Sequence, residues 1–365
     1  MVSKVMGDMN NLQPLISFLL GAALATACLL FYLSADPRGR SMEISAWSNG
    51  TQRGFIEEVT TGTKVDSAPV VNKTRLASAA KEKSSAEELA QLLKDVATED
   101  KTVILTEINE AWSEPNSLVD LFLESFHVGE QTEHLLDHLL IIAMDPKAFE
   151  RCKVVHRHCY FLKTEGISYN TEQVYNTKDY LDMMWGRNMF QQSILEMGYN
   201  FLFTDVDIMW LRDPLRRIAI TSDIAISSDF FFGDEDSMRN FPNGGFLYAK
   251  SSNKTIEFYK NWQLARERFP GKHEQHIFNQ IKGEFSARFQ VRIQFLDTAY
   301  CTGFCQLSKD LNKVTTIHAN CCVGLGAKLH DLKNVLEDWK AYKAGTPEER
   351  ISGKYQWRVP GICIH

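Results

Sequence analysis

The feature that most constrains the fold is an apolar run that ends in two closely spaced carboxylates. Residues 199–210 read YNFLFTDVDIMW, with Asp205 and Asp207 near the end. The run predicts a buried strand that carries both acids to its carboxyl end, where ligands bind in open α/β sheets. Because residues i and i+2 of an extended strand face the same side, both carboxylates could reach one divalent cation. The alternatives are turn or helix-capping acids, and the nucleophile motif of an Asp-dependent phosphatase.

Strand and helix patterns alternate along the chain on both sides of this run. Short aliphatic or β-branched runs predict strands at 102–106, 139–143, 158–162, 223–227, 245–249 and 291–296. Helical spacing of apolar residues predicts helices at 87–96, 118–126, 146–151, 178–197, 255–268 and 274–282. This order predicts an α/β fold of the Rossmann type, with a mostly parallel, mixed sheet flanked by helices on both faces.

The amino-terminal part predicts a membrane anchor. Residues 15–33, LISFLLGAALATACLLFYL, contain no charged side chain, and as a helix they would span about 28 Å, close to a bilayer core. The run exceeds the apolar core of a cleavable signal peptide, which favours an uncleaved anchor. The expected organisation is a cytoplasmic tail (1–14), an anchor (15–33), a stem (34–85), a catalytic domain (86–345) and a C-terminal tail (346–365).

Charge and cysteine content narrow the class of protein. The net charge of −6, without a basic block, argues against a nucleic-acid partner. Seven cysteines outside the predicted anchor are compatible with an oxidising compartment, and an odd number leaves at least one thiol over. The spacing leaves their connectivity open, although the Cys301/Cys305 and Cys321/Cys322 pairs are plausible partners.

A group transfer that releases a diphosphate needs a cation, a third ligand for that cation and a basic group for the developing charge. His318 follows a short apolar run and could complete an Asp205/Asp207/His318 site for Mn²⁺ or Mg²⁺. Lys328, in the sequence GLGAK, could bind the diphosphate as a point charge. The alternative for a single histidine is a satisfied position in the core.

Other candidates are spread along the chain. The donor-binding candidates are Thr106, Arg187, Asn243, Gly244 and Lys328, and Gln275 is added to the two aspartates as a catalytic candidate. PNGG at 242–245 predicts a tight turn before a strand, with a purely structural turn as the alternative. A second D-x-D pattern, Asp234 to Asp236, has no preceding strand and predicts a solvated loop.

Four longer motifs resemble one known family. They are TDVDIMWLRDP (204–214), PNGGFLY (242–248), FLDTAYCTGFCQLSKDLNKV (295–314) and HANCCVGLGAKLHDL (318–332). Together they resemble the plant nucleotide-diphospho-sugar transferase family, also called glycosyltransferase family seventy-seven. The resemblance implies a GT-A-like fold, Mn²⁺ dependence, a UDP-sugar donor and retention of anomeric configuration. It further implies a single-pass type II Golgi membrane protein with a lumenal catalytic domain.

The resemblance also suggests substrates and residue roles. It implies transfer of arabinose, xylose or galactose to a cell-wall polysaccharide or a hydroxyproline-rich glycoprotein. Asp205 and Asp207 match the family's D-x-D, His318 resembles its downstream metal ligand, and the similar donor-pocket positions are Arg187, Asn243 and Gln275. The chain departs from the pattern at His276, where an aspartate is expected. This departure keeps a catalytically silent Golgi protein that binds nucleotide or sugar as an alternative.

Overall fold

The computed structural model describes residues 85–163 and 177–363. The strands are β1 (Thr102–Ile108), β2 (Leu139–Ala143), β3 (Cys159–Phe161), β4 (Asn200–Thr204), β5 (Ile208–Trp210), β6 (Ile224–Phe230), β7 (Phe241–Ala249), β8 (Ile293–Phe295), β9 (Cys301–Gly303) and β10 (Thr316–His318). The helices are α1 (85–96), α2 (Glu110–Ser113), α3 (Leu118–Val128), α4 (Pro146–Val155), α5 (Lys178–Glu196), α6 (Asn253–Leu264), α7 (Glu274–Phe289), α8 (Leu325–Ala344) and α9 (Pro347–Ile351). The expected anchor and the stem up to residue 84 lie outside this range. Within it, no helix is long and apolar enough to cross a bilayer.

Seven of the described strands form one mixed sheet in the order β3-β2-β1-β4-β7-β6-β8. Neighbours from β3 to β4 are parallel, β7 is antiparallel to both β4 and β6, and β8 is parallel to β6. Helices between the parallel strands return the chain to the starting edge, as parallel pairing requires. The expected mixed α/β architecture with a parallel-rich sheet is confirmed.

The sheet separates two hydrophobic layers. Because side chains alternate along β1, Ile104 packs in one layer and Leu105 in the other. The first layer contains Phe122 of α3 and Trp339 of α8, and the second contains Phe258 of α6. Helices therefore cover both faces, and the edge formed by the carboxyl ends of the parallel strands is left to line a cleft.

A second, three-stranded sheet joins distant parts of the chain in the order β5-β10-β9. Strand β10 is antiparallel to β5, and His318 pairs with Ile208. Asp207 immediately precedes Ile208, so this register brings the histidine beside the second aspartate.

Helix α8 is the largest element that the sequence analysis did not identify. Its buried residues Leu332, Val335, Leu336 and Trp339 have helical spacing, but the helix begins at a Gly-rich sequence typical of a loop. The C-terminal tail packs on α8: the carboxylate of Asp331 accepts hydrogen bonds from the backbone N–H groups of 361, 362 and 363.

Six of the described cysteines form disulfides, which are Cys152–Cys159, Cys305–Cys321 and Cys322–Cys363. The remaining described cysteine, the buried Cys301, is a free thiol, as the odd number required. The adjacent Cys321 and Cys322 therefore tie the segment between β10 and α8 to two different parts of the chain. That segment lines the cleft described below.

Candidate functional site

The candidate site is a cleft of about 720 Å³ at one edge of the main sheet. Strands β1, β4 and β6 run in the same direction and end there, with Glu107, Asp205 and Asp229 at or just beyond their carboxyl ends. The antiparallel β7 begins at the same edge and contributes Asn243. Several carboxylates and amides therefore converge in one place, as expected for the ligand-binding edge of an α/β sheet.

Asp205, Asp207 and His318 form a cluster whose ligand atoms lie within 4.8 Å of one another. His318 Nε2 lies 3.2 Å from Asp207 Oδ1 and 3.8 Å from Asp205 Oδ2. Two carboxylates and one imidazole are a suitable donor set for Mn²⁺. The two aspartates lie on the connection between β4 and β5, and His318 lies at the end of β10. The pairing of β10 with β5 holds the three side chains together, so they fit a single divalent ion.

The two aspartates converge by a route that differs from the sequence prediction. Strand β4 ends at Thr204, and the chain then turns, with the backbone N–H of Ile208 donating to the carbonyl of Asp205. The i, i+2 rule for extended backbone therefore does not apply between Asp205 and Asp207. A turn between β4 and β5 brings the carboxylates together instead.

Burial and charge act in opposite directions at this cluster. Burial raises the pKa of Asp207, but the charges of Lys328 and His318 outweigh it and hold that pKa well below its usual range. Burial would lower the pKa of His318, yet the charge and hydrogen bond of Asp207 raise it. At Asp205, burial raises the pKa, the positive charge of Arg187 lowers it, and the negative charge of Asp207 raises it further. The net pKa shifts of the two aspartates are therefore opposite, downward at Asp207 and upward at Asp205.

Lys328 lies in the first turn of α8, and its Nζ donates a hydrogen bond to Asp207 Oδ2 at 2.7 Å. The Gly-rich sequence that contains Lys328 thus forms the start of this helix. The ammonium group lines the cleft beside the metal-ligand cluster. It can therefore neutralise an anion that is bound there.

Arg187 links two carboxylates on the other side of the cluster. Its Nη1 donates to Asp205 Oδ1 at 3.0 Å, and its Nη2 donates to Glu274 Oε1 at 2.6 Å. The guanidinium also lies 4.7 Å from the centroid of the Phe203 ring. With both nitrogens engaged, Arg187 orients Asp205.

Nearby, burial raises the pKa of Glu107 to about 7, although the charge of Arg187 opposes the shift.

A network of amides surrounds Asp229. Its Oδ1 accepts hydrogen bonds from Asn243 Nδ2 and Asn320 Nδ2, both at 2.8 Å, and its Oδ2 accepts one from Gln275 Nε2 at 3.2 Å. Gln275 Oε1 accepts from the backbone N–H of Gly244 at 2.8 Å. The predicted residues Asn243, Gly244 and Gln275 are thus joined in one network, in which all but Gly244 line the cleft.

Besides Gly244, two other residues singled out from the sequence lie outside the cleft lining. Thr106 is fully buried in β1, and its neighbour Glu107 lines the cleft instead, because adjacent strand residues face opposite sides. His276 follows Gln275 on α7 but does not line the cleft either. The histidine at this position therefore gives less reason to expect a silent site.

The PNGG segment is not the expected turn, because it lies within β7. The pairing of β7 with β6 shifts register at this point. A Cβ atom at Gly245 would lie 2.5 Å from Asp205 Oδ2 and 2.6 Å from His318 Cε1. Glycine is required here because the two side chains approach the backbone closely.

We expect Gly245→Ala to weaken Mn²⁺ binding about 10–100-fold, since the methyl group must displace two metal-ligand candidates. Titration of Mn²⁺ by electron paramagnetic resonance measures the effect. Gly283→Ala on α7 is a matched control, because the nearest atom to its added Cβ is Met238 Cγ at 4.0 Å. Equal Mn²⁺ affinity in the two variants would contradict the prediction.

Asp229, Asn320 and Glu107 are cleft residues that the sequence analysis missed. Asp229 lies near the end of β6, but two serines separate it from the apolar residues 224–226, so the signal was weaker than at Asp205. Asn320 lies two residues after His318. No local pattern distinguishes Glu107, because its position depends on the orientation of β1.

Comparison with known proteins identifies the family. A family described as nucleotide-diphospho-sugar transferase matches residues 134–332. An uncharacterized protein of Arabidopsis thaliana is 45% identical over 280 residues, which cover 76% of this chain and 73% of that protein. A second uncharacterized Arabidopsis thaliana protein is 41% identical over 261 residues, which cover 70% and 78%, respectively.

Two solved structures are more distant. Mouse xyloside xylosyltransferase 1 is 11% identical with a TM-score of 0.39, covering 60% of this chain and 98% of that one. A glycosyltransferase involved in glycosylation of the major capsid of PBCV-1 is 12% identical with a TM-score of 0.36, covering 64% and 98%. The sequence matches, rather than these likenesses, carry the assignment: the chain belongs to the nucleotide-diphospho-sugar transferase family.

Proposed function

We propose that this protein moves a sugar from a UDP-sugar to a hydroxyl group of a cell-wall polysaccharide or a glycoprotein. Family membership supports a nucleotide-sugar glycosyltransferase. The observation that carries the proposal is the cluster of Asp205, Asp207 and His318 beside Lys328 in the cleft. The mixed sheet supports a GT-A-like fold, and arabinose, xylose and galactose are the proposed sugars.

Asp205, Asp207 and His318 would hold the divalent ion, for which we propose Mn²⁺ or Mg²⁺. The ion would supply positive charge that lowers the cost of releasing a diphosphate. Lys328 adds a second positive charge on the same side. Arg187 and Glu274 fix the orientation of Asp205, and the amides around Asp229 offer hydrogen bonds for sugar hydroxyls.

The chemical step exchanges one bond for another at the anomeric carbon. Its bond to the phosphate oxygen breaks, a bond to the acceptor oxygen forms, and a phosphate oxygen takes the acceptor proton as UDP leaves. Both amide ends of Gln275 are hydrogen-bonded within the protein, so Gln275 is a poor nucleophile. We therefore propose front-face attack with retention rather than a covalent intermediate.

An Asp-nucleophile phosphatase fits the cleft less well. Such an enzyme needs a carboxylate free to attack phosphorus. Asp205 is engaged by Arg187, and Asp207 is engaged by Lys328 and His318. Both carboxylates are thus arranged to bind positive charge.

For location we propose a single-pass type II Golgi membrane protein with a lumenal catalytic domain. The three disulfides support an oxidising compartment such as the secretory pathway. The uncharged run at 15–33 supports an anchor.

The test is release of UDP by the full-length protein in detergent. UDP-arabinose, UDP-xylose, UDP-galactose and UDP-glucose are supplied in turn, with Mn²⁺ or with EDTA. We expect release from one donor with Mn²⁺ and background release with EDTA. Binding of UDP with Mn²⁺ but without turnover of any donor would favour the silent nucleotide-binding protein. Absence of UDP binding would overturn the transferase proposal.

A further inference from the structure

Three phenylalanine rings are exposed together at one end of β6 and β7. The exposed fractions of Phe230, Phe232 and Phe241 are 44%, 54% and 49%. The Phe241 ring centroid lies 6.2 Å from that of Phe230 and 6.1 Å from that of Phe232. On a protein surface, apolar side chains that are grouped together mark binding sites more often than apolar side chains that are scattered singly. These three residues are called the aromatic patch.

The aromatic patch continues directly from the wall of the cleft. Asp229 and Asn243 line the cleft and are hydrogen-bonded to each other at 2.8 Å. Phe230 follows Asp229, and it pairs across the strands with Phe241. A register shift between Ser228 and Phe230 interrupts the regular alternation of side chains here. Since a strand rises about 3.3 Å per residue, the patch begins within a few ångströms of the polar wall.

The patch is held in place from both sides. Gln306 Oε1 accepts from the backbone N–H of Phe231, and Gln306 Nε2 donates to its carbonyl. The backbone N–H of Phe232 donates to Asn240 Oδ1 at 2.9 Å. Exposed rings on a backbone fixed in this way form a preorganised surface, which reduces the entropy lost on binding.

The charged and polar groups around the patch indicate which class of molecule binds there. The loop at 231–240 contains three carboxylates and one guanidinium, which disfavours an anionic polymer or an anionic membrane. A neutral sugar ring has an apolar C–H face, which complements the negative face of a phenyl ring. Its hydroxyl groups can meanwhile meet the polar groups of Asp229 and Asn243. One sugar residue can therefore contact the phenyl rings with its C–H face and Asp229 and Asn243 with its hydroxyl groups.

We propose that the aromatic patch binds a neutral oligosaccharide, the acceptor substrate, and directs its hydroxyl group into the cleft. This inference rests on the proposed function, because a transferase must hold a second substrate beside the donor. It specifies a neutral glycan rather than a peptide or a uronic-acid polymer.

The test measures binding of neutral xylo-, arabino- and galacto-oligosaccharides to the full-length protein by saturation-transfer NMR, with UDP and Mn²⁺ present. We expect Phe232→Ala and Phe241→Ala to weaken this binding about tenfold, as loss of an aromatic contact worth about 1.4 kcal/mol would do. Phe232→Tyr retains the ring and should bind like the wild type. Leu264→Ala removes an apolar side chain of α6 that is 62% exposed, and so controls for loss of exposed apolar surface elsewhere.

Three results would overturn the inference. The first is unchanged saccharide binding by both alanine variants, provided that each variant unfolds at the same temperature as the wild type. The second is binding of UDP with Mn²⁺ by a wild-type protein that binds none of the neutral saccharides. The third is patch-dependent binding of an oligogalacturonate, a proline-rich peptide or a phosphatidylcholine vesicle instead. Failure to bind UDP, by contrast, would count against the proposed function.

Discussion

Replacement of Asp207 by asparagine is expected to lower sugar transfer on the order of 10²–10³-fold and to weaken Mn²⁺ binding. Asp207 is buried and receives Lys328 Nζ at 2.7 Å and His318 Nε2 at 3.2 Å. Its depressed pKa keeps it ionised at neutral pH, despite burial, because Lys328 and His318 stabilise the anion. Asparagine has nearly the same shape but no charge, so the variant isolates the contribution of the negative charge.

The measurement is UDP release as a function of Mn²⁺ concentration, with thermal unfolding recorded for each variant. Asp236→Asn is the matched control, because Asp236 belongs to the second D-x-D pattern. It is exposed and pairs with Arg292 at 3.2 Å, a surface contact of small energetic value. Its turnover should equal that of the wild type. Full metal-dependent turnover by Asp207→Asn would refute the assigned role of the cluster.

The sequence predicted Asp205 and Asp207 because a local rule applied to them. An apolar run that ends in carboxylates indicates the carboxyl end of a strand, and the carboxyl ends of parallel strands share one edge. The central strands and the long helix α5 were predicted for the same reason, since the period of their side chains is a local property. Boundaries differed by a few residues, as at β7, which begins at Phe241 rather than at Gly245.

Features that depend on distant pairing could not be obtained in this way. His318 was named as a metal-ligand candidate, but its contact with Asp207 arises from the register between β10 and β5, which are about a hundred residues apart. The hydrogen bonds of Asn243 and Gln275 to Asp229 likewise join separate elements. Thr106 illustrates a different kind of error. It is adjacent to the cleft residue Glu107, and an error of one residue along a strand selects a side chain on the other face of the sheet. Contacts between elements limited the prediction more than the elements themselves, although helix α8 was also missed.

Replacement of Arg187 by methionine is expected to lower the free energy of unfolding by about 3–5 kcal/mol. Arg187 and Glu274 are only 8% and 5% exposed, and the guanidinium bridges Glu274 and Asp205. Methionine fills much of the space but leaves the buried Glu274 carboxylate and the partly exposed Asp205 carboxylate, whose side chain is 32% exposed, without their cation. Arg268→Met is the matched control, since the Arg268–Glu284 pair lies on the surface and its loss should change stability little. Urea unfolding measures both variants.

The pH dependence separates loss of charge pairing from loss of packing. Burial raises the pKa of Glu274, but Arg187 and His273 outweigh it, so the folded-state pKa lies below the ordinary value of 4.5. Glu274 therefore stabilises the wild type above pH 4.5, and this contribution is lost as the pH falls through the lowered folded-state pKa. The difference between Arg187→Met and the wild type should accordingly shrink as the pH is lowered. The double variant Arg187→Met/Glu274→Gln should regain part of the stability at neutral pH, because it no longer buries that unpaired charge. A loss that is independent of pH and unrelieved in the double variant would assign Arg187 to packing against Phe203 instead.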